Sequence, residues 1–299
     1  MITSLQQIVD HVKGLPPKGL AVACGEDPHT IEAVGRAVKE GIVKAVMTGD
    51  KTQIKKTAED NKVDPASFEI IHEPDKSKAL ALAIAKIRAG EADFLMKGLL
   101  DSSVYIRGIL DKEKGLLAPG RLLSHTTAIQ VPAWKKLIIC ADVAVIPAPD
   151  LEAKIAIVTY CVDMARKLGI EKPKVAILSA VEKINPKMAS TTDAAILCKM
   201  AERGQIKNAI VDGPLALDIA FSKESAEIKG VKSPVAGDAD ILIFPNIEAG
   251  NIFFKTCTYL AGGEVAAIVA GANCPAILTS RADSEDSKFF SIALGSLMV

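Results

Sequence analysis

Ser280, Arg281, Asp283, Glu285 and Asp286 stand in one polar stretch near the C-terminus, SRADSEDS, between the apolar run Ala276-Ile277-Leu278-Thr279 and the run KFFSIALGSLM. The first run reads as a strand and the second as an amphipathic helix. A strand that turns into a helix start leaves backbone N–H groups and the positive end of the helix dipole facing the turn, which makes an anion site. Arg281 adds a planar cation suited to phosphate. Ser280 adds a hydroxyl, and Asp283, Glu285 and Asp286 add candidate bases. Each has a structural alternative: acids in a first helical turn complement the dipole, and Ser284 suits an N-cap. On the turn alone, structure takes precedence over catalysis.

Other candidates follow from the elements that would carry them. Short apolar runs alternate with helical patterns along the chain: a strand at Gly19–Gly25, a helix opened by Asp27-Pro28, a strand at Lys44–Gly49, a helix from Lys51, a strand at Phe68–Ile71 and a helix from Lys76. A strand at Asp93–Gly98 and a helix from Ser102 continue the rhythm. Strict alternation predicts a doubly wound, mostly parallel sheet. Lys136–Cys140 and Val143–Pro147 read as adjoining strands of a hairpin, which makes the sheet mixed there. The rhythm then resumes through a helix at Asp150–Leu168, strands at Lys174–Ser179, Asn208–Val211, Ile241–Phe244 and Ala266–Val269, and helices at Ser190–Arg203 and Asn246–Ala261. The chain carries no internal repeat. Its simplest division is a first α/β domain of residues 1–131 plus 270–299 and a second of residues 132–269.

In open α/β sheets ligands bind at the C-terminal ends of strands. Lys97, followed by Gly98, is therefore an anion candidate, with a solvated strand-end lysine as the alternative. His125, between Ser124 and Thr126, is a polar anchor or a proton carrier, although a lone His without an acid beside it is usually structural. Asp212-Gly213-Pro214 has turn composition. Gly237 would let backbone approach a ligand, or would simply make a turn. Gly25-Glu26-Asp27 and Pro245-Asn246 complete the strand ends.

Composition narrows the function classes. The 299 residues are 49% hydrophobic and only 4% aromatic, which suits buried parallel strands. Lys plus Arg (36) equals Asp plus Glu (36), so the chain lacks the basic footprint of a nucleic-acid binder. The six cysteines are scattered without a C-x-x-C pair or a zinc-like His spacing, which reads as buried free thiols and no metal site. The N-terminal run lacks a signal-peptide core, and no apolar run reaches membrane-span length, so the expectation is a soluble cytoplasmic protein without a membrane partner. The phosphate-loop, dinucleotide and nucleophile-elbow fingerprints are all missing.

Several spaced motifs, taken together, resemble the phosphate acetyltransferase/phosphate butyryltransferase family. They are Val211-Asp212-Gly213-Pro214-Leu215, Ser233-Pro234-Val235-Ala236-Gly237-Asp238-Ala239-Asp240, Phe244-Pro245-Asn246, Gly250-Asn251 and Leu278-Thr279-Ser280-Arg281. The resemblance runs through the chain and is strongest from about residue 208 onward. Met96-Lys97-Gly98, Leu123-Ser124-His125 and Thr279-Ser280-Arg281-Ala282-Asp283 look more like the butyryl branch than the acetyl branch.

The resemblance implies two α/β/α lobes like those of the isocitrate and isopropylmalate dehydrogenases, with an active-site cleft between them. It implies reversible acyl transfer between coenzyme A and inorganic phosphate in a ternary complex. Coenzyme A is then a substrate, no cofactor is tightly bound, and the enzyme is a homo-oligomer. Arg281 would bind phosphate, Ser280 would hydrogen-bond the developing transition-state charge, and Asp286 or Asp283 would accept the thiol proton. Lys97, Ser124, His125, Asp212, Gly213, Pro214, Gly237, Asn246 and Asn251 would bind substrate.

This chain departs from the acetyl branch twice. The acetyl branch carries its basic Asp where this chain has Ser287, one residue beyond Asp286. It also carries Lys or Arg where this chain has Cys274, and the smaller side chain would accommodate a longer acyl group. The alternatives are an acetyl or broad short-chain enzyme and, in another class, a non-catalytic coenzyme A or nucleotide-binding module.

Overall fold

The computed structural model describes residues 1–280 and 283–299, so Arg281 and Ala282 lie outside the described residues. The chain divides into two compact units, residues 5–123 with 265–299 and residues 1–4 with 124–264. The sequence boundary at residue 131 differs from this division mainly by the strand Ser124–Gln130, which groups with the residues after it because it pairs antiparallel with Ile138–Ala141.

In the first unit, β1 (Lys18–Ala23), β2 (Val43–Gly49), β3 (Glu69–His72) and β4 (Phe94–Lys97) alternate with α1 (Leu5–Lys13), α2 (Pro28–Lys39), α3 (Lys51–Asp60), α4 (Lys76–Arg88) and α5 (Ser102–Ile109). These strands run parallel in the order β3-β2-β1-β4. Each middle strand is a nearly continuous buried apolar run, as expected of a strand covered on both faces. Aspartates start the helices. Asp27, Asp50 and Asp75 each accept backbone N–H groups of the following first turn, satisfying donors that a helix cannot satisfy itself.

The second unit starts with β5 (Ser124–Gln130) and β6 (Ile138–Ala141), followed by α6 (Leu151–Lys167), β7 (Lys174–Leu178), α7 (Ala189–Glu202) and β8 (Ile210–Leu215). Two short helices, α8 (Leu217–Phe221) and α9 (Lys223–Ile228), precede β9 (Ile241–Ile243) and α10 (Ile247–Tyr259). The order is β5-β6-β9-β7-β8, parallel apart from β5 against β6. The hairpin is therefore β5–β6 and not a pairing of 136–140 with 143–147. Asp142 explains the difference. Its Oδ1 accepts the backbone N–H groups of Ala144 and Val145 at 2.7 and 2.8 Å, which bends residues 143–147 out of any strand.

A second difference is Asp212-Gly213-Pro214, which lies inside β8 and not in a turn after it. A β-bulge falls there, where the pairing with β7 shifts between Ala176 and Leu178. A Cβ on Gly213 would lie 2.7 Å from the Ile177 carbonyl oxygen, so glycine is required by close approach of the neighbouring strand.

The chain closes with β10 (Glu264–Ala270), β11 (Ala276–Ile277) and α11 (Glu285–Met298), which join the first unit apart from Glu264. β11 runs parallel beside β4 and antiparallel to β10. α11 packs on α1 and α2 and is buried on every side from Lys288 to Leu297, so this helix is interior, not amphipathic.

Candidate active site

The β4–β11 register positions the candidate turn. Met96 is level with Ile277, the last residue of β11, so the chain leaves β11 toward Ser280 at the end of the sheet where Lys97 closes β4. Lys97 and Ser280, far apart in sequence, thus share the C-terminal edge of one sheet.

Lys97 is buried (3% exposed), which corrects the solvated alternative. Its ammonium donates to the carbonyl oxygens of Gly98 and Leu100, both at 3.3 Å, folding over the loop that follows its own strand. Next to Ser280, Thr279 is buried and its hydroxyl has no partner among the described residues.

The turn is pinned from three directions. Asp283 Oδ2 accepts the Ser280 backbone N–H at 2.7 Å, and the Asp283 N–H donates back to the Ser280 carbonyl at 3.2 Å. Ser284 is the N-cap of α11, its Oγ accepting the Ser287 N–H at 3.2 Å. Lys288 reaches back from inside α11 and donates to the carbonyl oxygens of Ser280 and Asp283, both at 3.1 Å. Lys288 opens an otherwise apolar helical run, and a lone cation there is the signal that the sequence carries for it.

The two candidate bases occupy different surroundings. Asp283 belongs to the Ser280 turn, whereas Asp286 accepts from Arg36 Nη1 of α2 at 2.8 Å and is exposed. Glu285 meets the same guanidinium at 3.4 Å. Arg36 also lies over the Phe289 ring, 3.8 Å from its centroid, so Asp286 and Glu285 anchor the start of α11 to α2. Arg281 falls outside the described residues.

Cys274 does not approach this edge. Pro275 accepts the Leu95 N–H at the start of β4, so Cys274 lies at the opposite edge of the sheet from Ser280. It is buried beside Tyr105, and burial pushes its thiol up to about 12. Its side chain is therefore no part of the surroundings of the Ser280 turn. All six cysteines are free, and burial likewise raises the thiols of Cys24 and Cys198 to about 12, leaving them protonated at neutral pH. No cluster of metal-binding side chains and no helix long and apolar enough to cross a membrane occurs among the described residues.

The second unit assembles its own edge around Asp142, another residue the sequence reading missed. Asp142 is 2% exposed, and its Oδ2 accepts the His125 backbone N–H at 3.0 Å. His125 is buried in β5, with Nδ1 3.2 Å from Thr127 Oγ1. Ser124 is fully buried, and its hydroxyl lacks a partner among the described residues. Asn246 caps α10 through the Ala249 N–H, and Asn251 Nδ2 donates to the Val143 carbonyl at 3.0 Å. A Cβ on Gly250 would stand 2.2 Å from the Asp142 carbonyl oxygen, so the loop after β6 presses directly on α10.

Two candidates lie apart from this group. Asp212, Gly213 and Pro214 are in the edge strand β8, where Asp212 Oδ1 accepts the Gly213 N–H at 2.9 Å. Gly237 has φ +68° and precedes β9, the other end of that strand from Asn246. Its motif partners Asp238 and Asp240 bind Lys136 at 2.9 and 2.6 Å, and Asp238 also binds Lys174 at 2.8 Å. Burial alone would raise the Asp238 carboxyl; hydrogen bonds from Lys174 and Lys136 outweigh it and hold it at about 2. This motif is accounted for by folding.

Comparison with known proteins gives the arrangement its context. A family model described as "Phosphate acetyl/butaryl transferase" matches residues 3–80 and 72–296. The chain is 46% identical to a phosphate butyryltransferase of Clostridium acetobutylicum, over 100% of this chain and 99% of that protein. It is 42% identical to a phosphate acetyltransferase of Thermotoga maritima, over 98% and 99%. Among solved structures, a branched-chain phosphotransacylase from Enterococcus faecalis V583 superposes with a TM-score of 0.81 at 31% identity, covering 94% of this chain and 99% of that one. A phosphotransacetylase from Streptococcus pyogenes, at 20% identity and a TM-score of 0.83, shares the fold. Matched along nearly its whole length, the chain belongs to the phosphate acetyl/butyryl transferase family.

Proposed function

We propose that this phosphate acyltransferase moves a short acyl group, preferentially butyryl, between coenzyme A and inorganic phosphate. The carrying observation is the full-length family match to proteins named for that transfer, together with a Ser280 turn held at the same sheet edge as Lys97. A phosphate oxygen attacks the thioester carbonyl, the C–S bond breaks, and coenzyme A leaves as a thiolate that takes up a proton. The reverse direction begins by removing that proton.

Ser280 donates to the oxyanion of the tetrahedral transition state, and Arg281 neutralises phosphate. Asp283 shares the Ser280 turn while Asp286 is tied to Arg36, so the geometry favours Asp283 as the proton acceptor. Ser124 and His125 are further substrate-binding residues, the buried Ser124 hydroxyl being in want of a partner. Coenzyme A is a substrate and not a resident cofactor, and the enzyme works as a cytoplasmic homo-oligomer.

The preference for butyryl is tested by kcat/KM for acetyl-, propionyl- and butyryl-CoA. Two further methylenes buried at about 0.8 kcal/mol each should favour butyryl over acetyl by about tenfold. A clear preference for acetyl would assign the enzyme to the other branch.

A further inference from the structure

Lys288 is the least expected residue of the C-terminal helix. It is 2% exposed and is followed by a run that stays buried as far as Leu297. Two effects oppose a cation there. Burial removes its hydration, and its place near the first turn of α11 sets it at the positive end of the helix dipole. Compensation is thin. Among the described residues its ion pair is with Asp27 Oδ2 at 4.0 Å, and that carboxylate is already the N-cap of α2, bonded to the Thr30 N–H at 2.8 Å. Burial pushes the ammonium below its ordinary value, and Asp27 and Asp283 pull it back. Packing and charge balance alone would favour Leu or Met at this position.

What Lys288 does make is two hydrogen bonds, to the carbonyl oxygens of Ser280 and Asp283. Those carbonyls flank the catalytic turn on both sides. We infer that Lys288 is a positioning residue that draws these two carbonyls inward and so fixes the backbone from which the Ser280 hydroxyl projects. This rests on the reading of Ser280 as catalytic. The ammonium holds the Ser280 and Asp283 carbonyls while the Asp283 carboxylate holds the Ser280 N–H, and a small displacement of Ser280 is costly because near-attack geometry is sensitive at the scale of about 1 Å.

The test compares kcat, KM for phosphate, KM for butyryl-CoA and Tm in Lys288→Met, Lys288→Gln and Ser280→Ala. Lys288→Met should lower kcat about 10–100-fold, with KM for butyryl-CoA within about threefold and Tm unchanged or raised, because an apolar replacement removes a poorly compensated buried charge. Lys288→Gln, which keeps a donor, should fall between Met and wild type. The inference is overturned if Lys288→Met folds and keeps kcat within about threefold, if Lys288→Gln is no more active than Lys288→Met, or if activity lost in both tracks a fall in Tm. Should Lys288→Met fail to fold, Lys288→Gln decides, a loss of kcat at unchanged Tm supporting the inference and a loss that tracks Tm overturning it; should neither fold, Lys288 is structural and the inference is wrong. An impaired Ser280→Ala beside an unimpaired Lys288→Met defeats this inference alone, whereas an unimpaired Ser280→Ala defeats the catalytic reading of the turn and this inference with it.

Discussion

Replacing Ser280 by alanine should lower kcat by about 10²–10³-fold, the usual cost of removing one preorganised donor to an oxyanion. Ser280 lies past the β11 end, at the same sheet edge as Lys97, and its backbone is fixed by Asp283 and Lys288. These contacts go to main-chain N–H and C=O groups and survive the substitution. The loss should therefore appear in kcat, with KM for butyryl-CoA and Tm little changed. The acids separate in the same assay. Asp283→Asn retains an oxygen to accept the Ser280 N–H but cannot take a proton, and should approach the Ser280→Ala loss. Asp286→Asn weakens only the pair with Arg36, which is exposed and worth about 1 kcal/mol or less. If Asp286→Asn lost activity while Asp283→Asn kept it, the base would be Asp286.

Gly98→Ala should destabilise the protein by about 3 kcal/mol, at the upper end of overpacking costs. A Cβ at Gly98 would lie 2.1 Å from the Cys24 carbonyl oxygen and 2.8 Å from its carbonyl carbon. Both are backbone atoms, so no side chain can swing aside. The Gly98 N–H donates to Ala23 O at 2.8 Å and the Leu99 N–H to Cys24 O at 2.6 Å, and these bonds hold the ends of β1 and β4 together. Forcing them apart also displaces Lys97. With about 2–4 °C of Tm lost per kcal/mol in a domain of this size, Tm should fall by about 6–12 °C. Gly90→Ala is the control: φ there is +72° but nothing lies within 4 Å, so only the backbone penalty of about 1 kcal/mol applies. Equal melting of the two variants would show that the contact at Gly98 is not limiting.

The alternation of strands and helices was legible because buried parallel strands are near-continuous apolar runs and because Asp27, Asp50 and Asp75 mark helix starts by residue type alone. The turn from Ser280 to the Ser284 cap was legible for the same reason, since a strand running into a capped helix is a local pattern. What escaped depends on distant partners. Val143–Pro147 is apolar enough for a strand, yet Asp142 takes its N–H groups. Asp212-Gly213-Pro214 has turn composition, yet a neighbouring strand presses it into a bulge. Asp286 reads as a base, and its ion pair with Arg36, from the other end of the chain, has no local signal. Cys274 is near Ser280 in sequence and at the opposite sheet edge in space, because β11 carries the chain across between them. Lys288 was hidden by its apolar neighbours, whose burial on all sides is a tertiary fact.

The most direct measurement is release of coenzyme A from butyryl-CoA, followed by thiol titration with and without inorganic phosphate. Release should depend on phosphate, saturate with it and yield butyryl phosphate in equal amount. Absence of phosphate-dependent release with butyryl-, propionyl- and acetyl-CoA alike, in protein that is folded and binds coenzyme A, would contradict the proposed transfer and leave a binding module.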